Sequence, residues 1–175
     1  MPNEQPIITE FGGRRKFACS AAAVSVFIVN EEEKILLLSH PKREGLWEIV
    51  SGALEAEETI LQGCLRETRE EIGSDLQVRP LGIVHAYTFS YDQKLQYMIS
   101  VSYLLAFEGG RVQPGDDMAG SRFKWCSLEE LEEEEVRIIV PNDRNWLMRR
   151  AVELYRLWRG QELDHHIEKD LKPGP

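Results

Sequence analysis

The chain has 175 residues, enough for one domain with a real core, and its 30 Asp and Glu against 21 Lys and Arg leave a net charge of −9. That balance disfavours a broad electrostatic grip on nucleic acid. No secretory leader is evident, and no apolar run approaches the roughly 18 residues of a membrane span, so the expectation is a cytoplasmic protein that avoids membranes.

Residues 1–16 hold Pro2, Pro6 and the pair Gly12-Gly13, and read as a loose or edge-lying arm. Ala21–Val29 and Lys34–Ser39 are apolar, rich in β-branched residues and leucine, and separated by Asn30 and three glutamates, which predicts a hairpin. Thr59 and Gln62 have the spacing of a capping box, and Gly73 stands where a helix commonly ends. Leu81–Ser90 and Tyr97–Phe107 form a second strand pair, joined by a loop that contains Asp92. Arg111 to Gly120 is loop-like, and Arg122–Cys126 is a short strand. Ser127 caps a short acidic helix over Leu128–Glu135, whose glutamate run is a solvated face. Asn142 or Asp143 opens a last helix that carries Trp146 to Trp158 and stops before Gly160. The chain thus divides into an arm (1–16), a domain (17–160) and a polar tail (161–175), frayed and carrying a passive His165-His166 pair. Strands with helices on both sides predict an α/β sandwich. Cys19, Cys64 and Cys126 fall in apparent strands and the first helix; an odd number there reads as reduced, buried thiols.

The first helix carries the chemistry. Glu67, Glu70 and Glu71 stand at i, i+3 and i+4, so they share one face and repel by a few tenths of a kcal/mol per pair. Leu61, Leu65, Thr68 and Ile72 form the expected core stripe. The acidic face lies roughly 140° from it at about 100° per residue, so the carboxylates are expected to point away from the core. Gly63 is on the acidic side one turn earlier, at a cost of about 1 kcal/mol relative to alanine, which suits the close approach of a loop or ligand. By spacing alone the cluster is either a solvated acidic face or a divalent-cation site. Without His or Cys it suits Mg²⁺ or Mn²⁺ better than zinc.

Gly52, Glu58, Arg66, Glu67, Glu70, Glu71 and Gly73 match every charged and glycine position of the Nudix box, Gly-x5-Glu-x7-Arg-Glu-U-x-Glu-Glu-x-Gly-U, with U a bulky aliphatic residue. Thr68 and Ser74 depart from it at the two aliphatic positions. Upstream, Trp47 to Gly52 resembles the family's Trp-x-aliphatic-Pro-Gly-Gly, with Val50 and Ser51 in place of Pro and Gly. The similarity extends over most of residues 17–158 and implies a Nudix-type α/β/α sandwich around a mixed β-sheet. It also implies Mg²⁺-dependent hydrolysis (with Mn²⁺ as the alternative ion) of a pyrophosphate bond in a small nucleoside diphosphate derivative, a nucleoside triphosphate or a nucleotide sugar. In that reading Glu67, Glu70, Glu71 and the Ser51 carbonyl bind metal. Glu70 handles the attacking water, and Arg66 pairs with Glu58 to fix the loop against the helix. Asp116 and Asp117 are candidates for an external base, although a Pro-Gly-Asp-Asp sequence also makes an ordinary turn. Asn142 either reads the base or caps the last helix. Tyr87 and Trp125 represent the strand aromatics available for stacking.

ADP-ribose-specific relatives carry a proline where this chain has Phe89, which argues against ADP-ribose. Dinucleoside polyphosphate hydrolases have a tyrosine where Ser90 stands, with Tyr91 adjacent, so that alternative stays open. The other alternative is a non-catalytic Nudix-fold nucleotide sensor. Such members lose box carboxylates; this chain keeps them all. RNA decapping is disfavoured by charge, and a homodimer is among the assemblies the family allows.

Overall fold

The computed structural model describes residues 7–9, 12–92, 97–133, 136–140 and 144–161. Strands β1 (Ile7–Thr9) and β2 (Lys16–Ala18) pair antiparallel as a separate hairpin. The arm is therefore partly strand, and Ile7 and Ile8 on it, with Phe17 on the strand it pairs with, are more than half exposed.

The main sheet is built around β3 (Ala21–Val29). One edge of β3 runs parallel to β8 (Met98–Gly109), which is antiparallel to β7 (Gln77–Phe89). The other edge is shared by β4 (Ile35–Ser39) at one end and β6 (Val50–Ala53) at the other, both antiparallel. β4 also carries β5 (Leu46–Glu48) and β9 (Phe123–Cys126), and β10 (Arg137–Val140) lies parallel to β5. The sheet is mixed, as expected.

Alternation along β3 feeds two cores. Phe27 and Val29 join Leu37, Leu104 and the Leu147, Met148, Ala151 and Tyr155 side chains of α3 (Arg144–Trp158). Val24, Val26 and Ile28 join Leu36, Leu105 and the Cys64 and Ile72 side chains of α1 (Ile60–Ile72). Each sheet face is thus covered by a helix, which is the α/β/α sandwich. Two of the expected N-caps form within the described residues. Thr59 Oγ1 accepts from Gln62 N at 3.2 Å while Gln62 Oε1 accepts from Thr59 N at 2.8 Å. Ser127 Oγ accepts from Glu130 N at 3.1 Å at the start of α2 (Leu128–Glu133).

Three differences from the sequence reading have physical causes. β5, β6 and β10 have three or four residues each, too few for alternation to register. β7 begins at Gln77, four residues before Leu81, because Pro80 falls at a register shift where a missing N–H costs little. Cys19 is exposed and outside any strand, unlike the buried Cys64 and Cys126. Asn142, Asp143 and residues 162–175 lie outside the described residues.

Candidate active site

The acidic turn of α1 does not face away from the core. Glu67 is 9% exposed and Glu71 6%, because β6 and the loop after it fold over that side. The fully inward positions are Cys64 and Ile72, with Leu61 and Leu65 only half-buried. The buried stripe is rotated toward the carboxylates relative to expectation.

Two glycines make the close fit. A Cβ on Gly52 would collide with the Glu67 carboxylate. A Cβ on Gly63 would meet Leu54 Cδ1 at 2.6 Å and Glu58 Oε2 at 3.3 Å. The loop from Ala53 to Thr59 therefore lies directly on the helix. Glu57 turns it with a positive φ of 69°, a conformation rare outside glycine.

Arg66 binds this arrangement together. Its Nε and Nη2 donate to Glu58 Oε1 and Oε2 at 2.7 and 3.1 Å. Nη1 donates to both Glu67 Oε1 and Glu70 Oε2 at 2.8 Å, and Nη2 also donates to the Ala53 carbonyl at 2.9 Å. These five bonds match the five donors of a guanidinium. The Glu58 hydrogen bonds, ahead of those from Glu67 and Glu70, hold the Arg66 pKa above its ordinary value. Arg66, and then the Glu55 N–H, hold the Glu58 carboxyl below its ordinary value of 4.5.

Glu70 is the accessible member of the cluster, with a side chain 41% exposed against 12% for Glu67. Among the described residues no three His, Cys, Asp or Glu side chains converge on one point as metal ligands do. The reason is visible: the Arg66 guanidinium draws Glu67 and Glu70 to itself. The donor set still fits a hard divalent ion, being all oxygen. Gly52 also leaves the Glu67 carboxylate pressed against the strand that carries Ser51. The loop carrying Asp116 docks on the C-terminal end of α1, where Gln113 N donates to the Ile72 carbonyl at 2.7 Å and Gly115 N to the Glu71 carbonyl at 3.1 Å.

A cleft of about 630 Å³ opens beside this corner, on the α3 face of the sheet. Ser51 and Gly52 line one wall, Tyr87 and Phe89 the other, and Ser25 and Ser100 lie between them. Arg43 is the only charged side chain among the described lining residues. Tyr87 is half-buried in a row of rings, 5.9 Å from His85 and 6.0 Å from Phe89. Trp125 is elsewhere: it packs 5.0 Å from Phe107 against the core on the α1 side, where it cannot stack on a cleft ligand.

The structure gathers Glu58, Glu67 and Glu70 on Arg66, with Glu71 buried on the same helix, Ser51 next to the Gly52 that Glu67 presses on, and Tyr87 across the cleft. It does not bring Trp125. The sequence reading missed Arg43 and the floor serines. Serines at alternate positions within otherwise apolar strands (Ser25 in β3, Ser100 and Ser102 in β8) were the available signal.

A profile of the NUDIX domain matches residues 20–152. The NAD-capped RNA hydrolase NudC of Photobacterium profundum is 29% identical over 107 residues, covering 61% of this chain and 38% of that protein. The ADP-ribose pyrophosphatase of Methanocaldococcus jannaschii is 28% identical over 98 residues, covering 55% of this chain and 57% of that protein. The chain spans less than two thirds of either relative. Among solved structures, an ADP-ribose pyrophosphatase from Streptococcus suis has the same fold. Its TM-score is 0.60 at 19% identity, over 79% of this chain and 93% of that one.

Proposed function

The chain belongs to the NUDIX domain family, and from that premise we propose that it hydrolyses a pyrophosphate bond in a small nucleoside diphosphate derivative. The observation that carries this reading is the five-bonded Arg66, which collects Glu58, Glu67 and Glu70 beside the strand whose Ser51 and Gly52 line a 630 Å³ cleft. A structural ion pair needs one carboxylate. Three on one guanidinium, beside a fourth buried on the same turn, suit a site that exchanges a protein cation for a mobile one.

Glu67, Glu70 and Glu71, with the Ser51 carbonyl, would hold Mg²⁺ or Mn²⁺. Such an ion supplies Lewis acidity toward the phosphoryl oxygens and toward the attacking water. Glu67 and Glu71 are buried and fixed, whereas Glu70 is accessible enough to take a proton from that water. Arg66 holds the loop through Glu58 and keeps a positive charge beside the phosphates. Tyr87 offers a ring face to the base. The catalytic unit is residues 17–160, which contains the whole matched span.

NAD-capped RNA is the substrate named for one relative. Here the −9 charge weighs against an RNA chain, and a nucleoside triphosphate or nucleotide sugar is the better fit. A panel of nucleotides incubated with Mg²⁺, with both products identified by mass, tests the reading. Release of a nucleoside phosphate supports it. No cleavage across the panel overturns it.

A further inference from the structure

The middle of the cleft floor is built for something specific. Cross-strand register places Ser25 opposite Ser51, Ala23 opposite both Ala53 and Ser100, and Ser100 opposite Tyr87. Cross-strand partners share a sheet face, so the line from Ser51 to Tyr87 crosses alanine and serine, with Met98 beside it opposite Phe89. Deeper along the same face the floor changes to Phe27 and Leu104. Four strands span three intervals, about 14 Å at the usual strand spacing of ~4.8 Å. A trough of that width holds one nucleotide lying crosswise.

The floor hydroxyls are not equivalent. Ser25 and Ser102 satisfy each other, Oγ to Oγ, at 2.8 Å. Ser100 lines the same cleft, and the Ser25–Ser102 pair leaves its hydroxyl out. A hydroxyl that lines a cleft outside such a pair is available to a ligand. With the phosphates at the Gly52 corner and the base on Tyr87, the segment over Ala23 and Ser100 is the sugar. A sugar hydroxyl both donates and accepts, as a serine does.

We propose that Ser100 is a specificity-determining residue that hydrogen-bonds a ribose hydroxyl, so that the cleft selects ribonucleotides over their deoxy counterparts. The proposal rests on the nucleotide reading of the same cleft. A site built to bond a substrate hydroxyl rejects the analogue that lacks it, because its own polar group is then stranded.

The test is equilibrium binding of ADP, 2′-deoxy-ADP and 3′-deoxy-ADP, in Mg²⁺, to the wild-type chain and to Ser100→Ala. The wild type should bind ADP roughly tenfold more tightly than at least one deoxy analogue, the scale of one lost hydrogen bond. Ser100→Ala should bind ADP roughly tenfold more weakly, with its affinity for that analogue unchanged. Ser102→Ala, which removes a hydroxyl already satisfied by Ser25, should keep the preference. Equal wild-type affinity for all three nucleotides, or no binding of any, overturns the proposal without needing a variant. So does a Ser100→Ala protein that still discriminates. Discrimination without turnover of any nucleotide would sink the hydrolase reading and leave the role of Ser100 standing.

Discussion

Among the described residues, the arginine–glutamate networks at Arg66 and at Glu33 differ in almost everything except their chemistry. Arg66 is enclosed, with a side chain 19% exposed and partners at 18% and 12% in Glu58 and Glu67. The second network is on the surface. Glu33, in the β3–β4 turn at a φ of 64°, accepts from Arg156 Nε at 2.8 Å and pairs with Arg159 Nη1 at 3.5 Å, tying the turn to the end of α3. The arginines there are about half exposed. An exposed pair is a tether of small worth. An enclosed one concentrates charge where removing either sign leaves the other stranded. The first network can therefore do chemistry, and the second can only fasten.

The difference is broken most sharply at Glu70. Glu70→Gln should lower Mg²⁺-dependent turnover by roughly 10²–10⁴-fold, the usual scale for losing a general base, with an unchanged circular dichroism spectrum. Near-normal turnover would remove Glu70 from the reaction. Next in size is Arg66→Ala, which strands Glu58 and Glu67 and should cost about 2 kcal/mol in urea unfolding as well as activity. A variant as stable as the wild type would mean that the enclosed network has no energetic role. Gly52→Ala drives a methyl group into the Glu67 carboxylate and should cost about 1–3 kcal/mol, the usual range for overpacking. It should also weaken any stabilisation by Mg²⁺ in a melting experiment. The smallest effect is expected at the surface, where Glu33→Gln should change stability by less than about 1 kcal/mol and leave turnover alone.

Acid sharpens the same contrast. Arg156, the largest influence, holds the Glu33 carboxyl below its ordinary value of 4.5, as Arg66 does for Glu58. A depressed folded-state pKa contributes stability that is fully present above the unfolded value and is lost as pH falls through the folded one. Both contributions are therefore intact at neutral pH and disappear below about 4.5. In an acid titration followed by fluorescence, Glu33→Gln should flatten the stability loss below that pH slightly and leave it unchanged above. A difference appearing near neutrality would contradict this assignment.

The two sheet faces were unequally legible in the sequence. The α1 face announced itself because metal-type chemistry needs several carboxylates at fixed helical spacing, and seven box positions fix their register. Even so, spacing placed Glu67 and Glu71 toward solvent. Helical geometry alone cannot know that β6 folds over that side, although Gly63 had marked the close approach of the loop. On the α3 face only Ser51 and Tyr87 were legible. Ser25, Ser100 and Ser102 come from two strands and meet only when β3 and β8 align in parallel, a long-range pairing that no local pattern records. Trp125 shows the converse: alternation along a strand could not say which face is open, and its ring packs against the core on the α1 side. Cys19 was misread because an apolar neighbourhood resembled a strand that ends one residue earlier.

The central claim is that the α1 carboxylates take up a divalent cation in place of Arg66. Isothermal calorimetry of the chain with Mg²⁺ and with Mn²⁺, in the presence and absence of nucleotide, tests it directly. The account requires saturable uptake that is lost in Glu67→Gln and Glu71→Gln proteins that remain folded. Absence of uptake under every condition, or uptake indifferent to both substitutions, would contradict it.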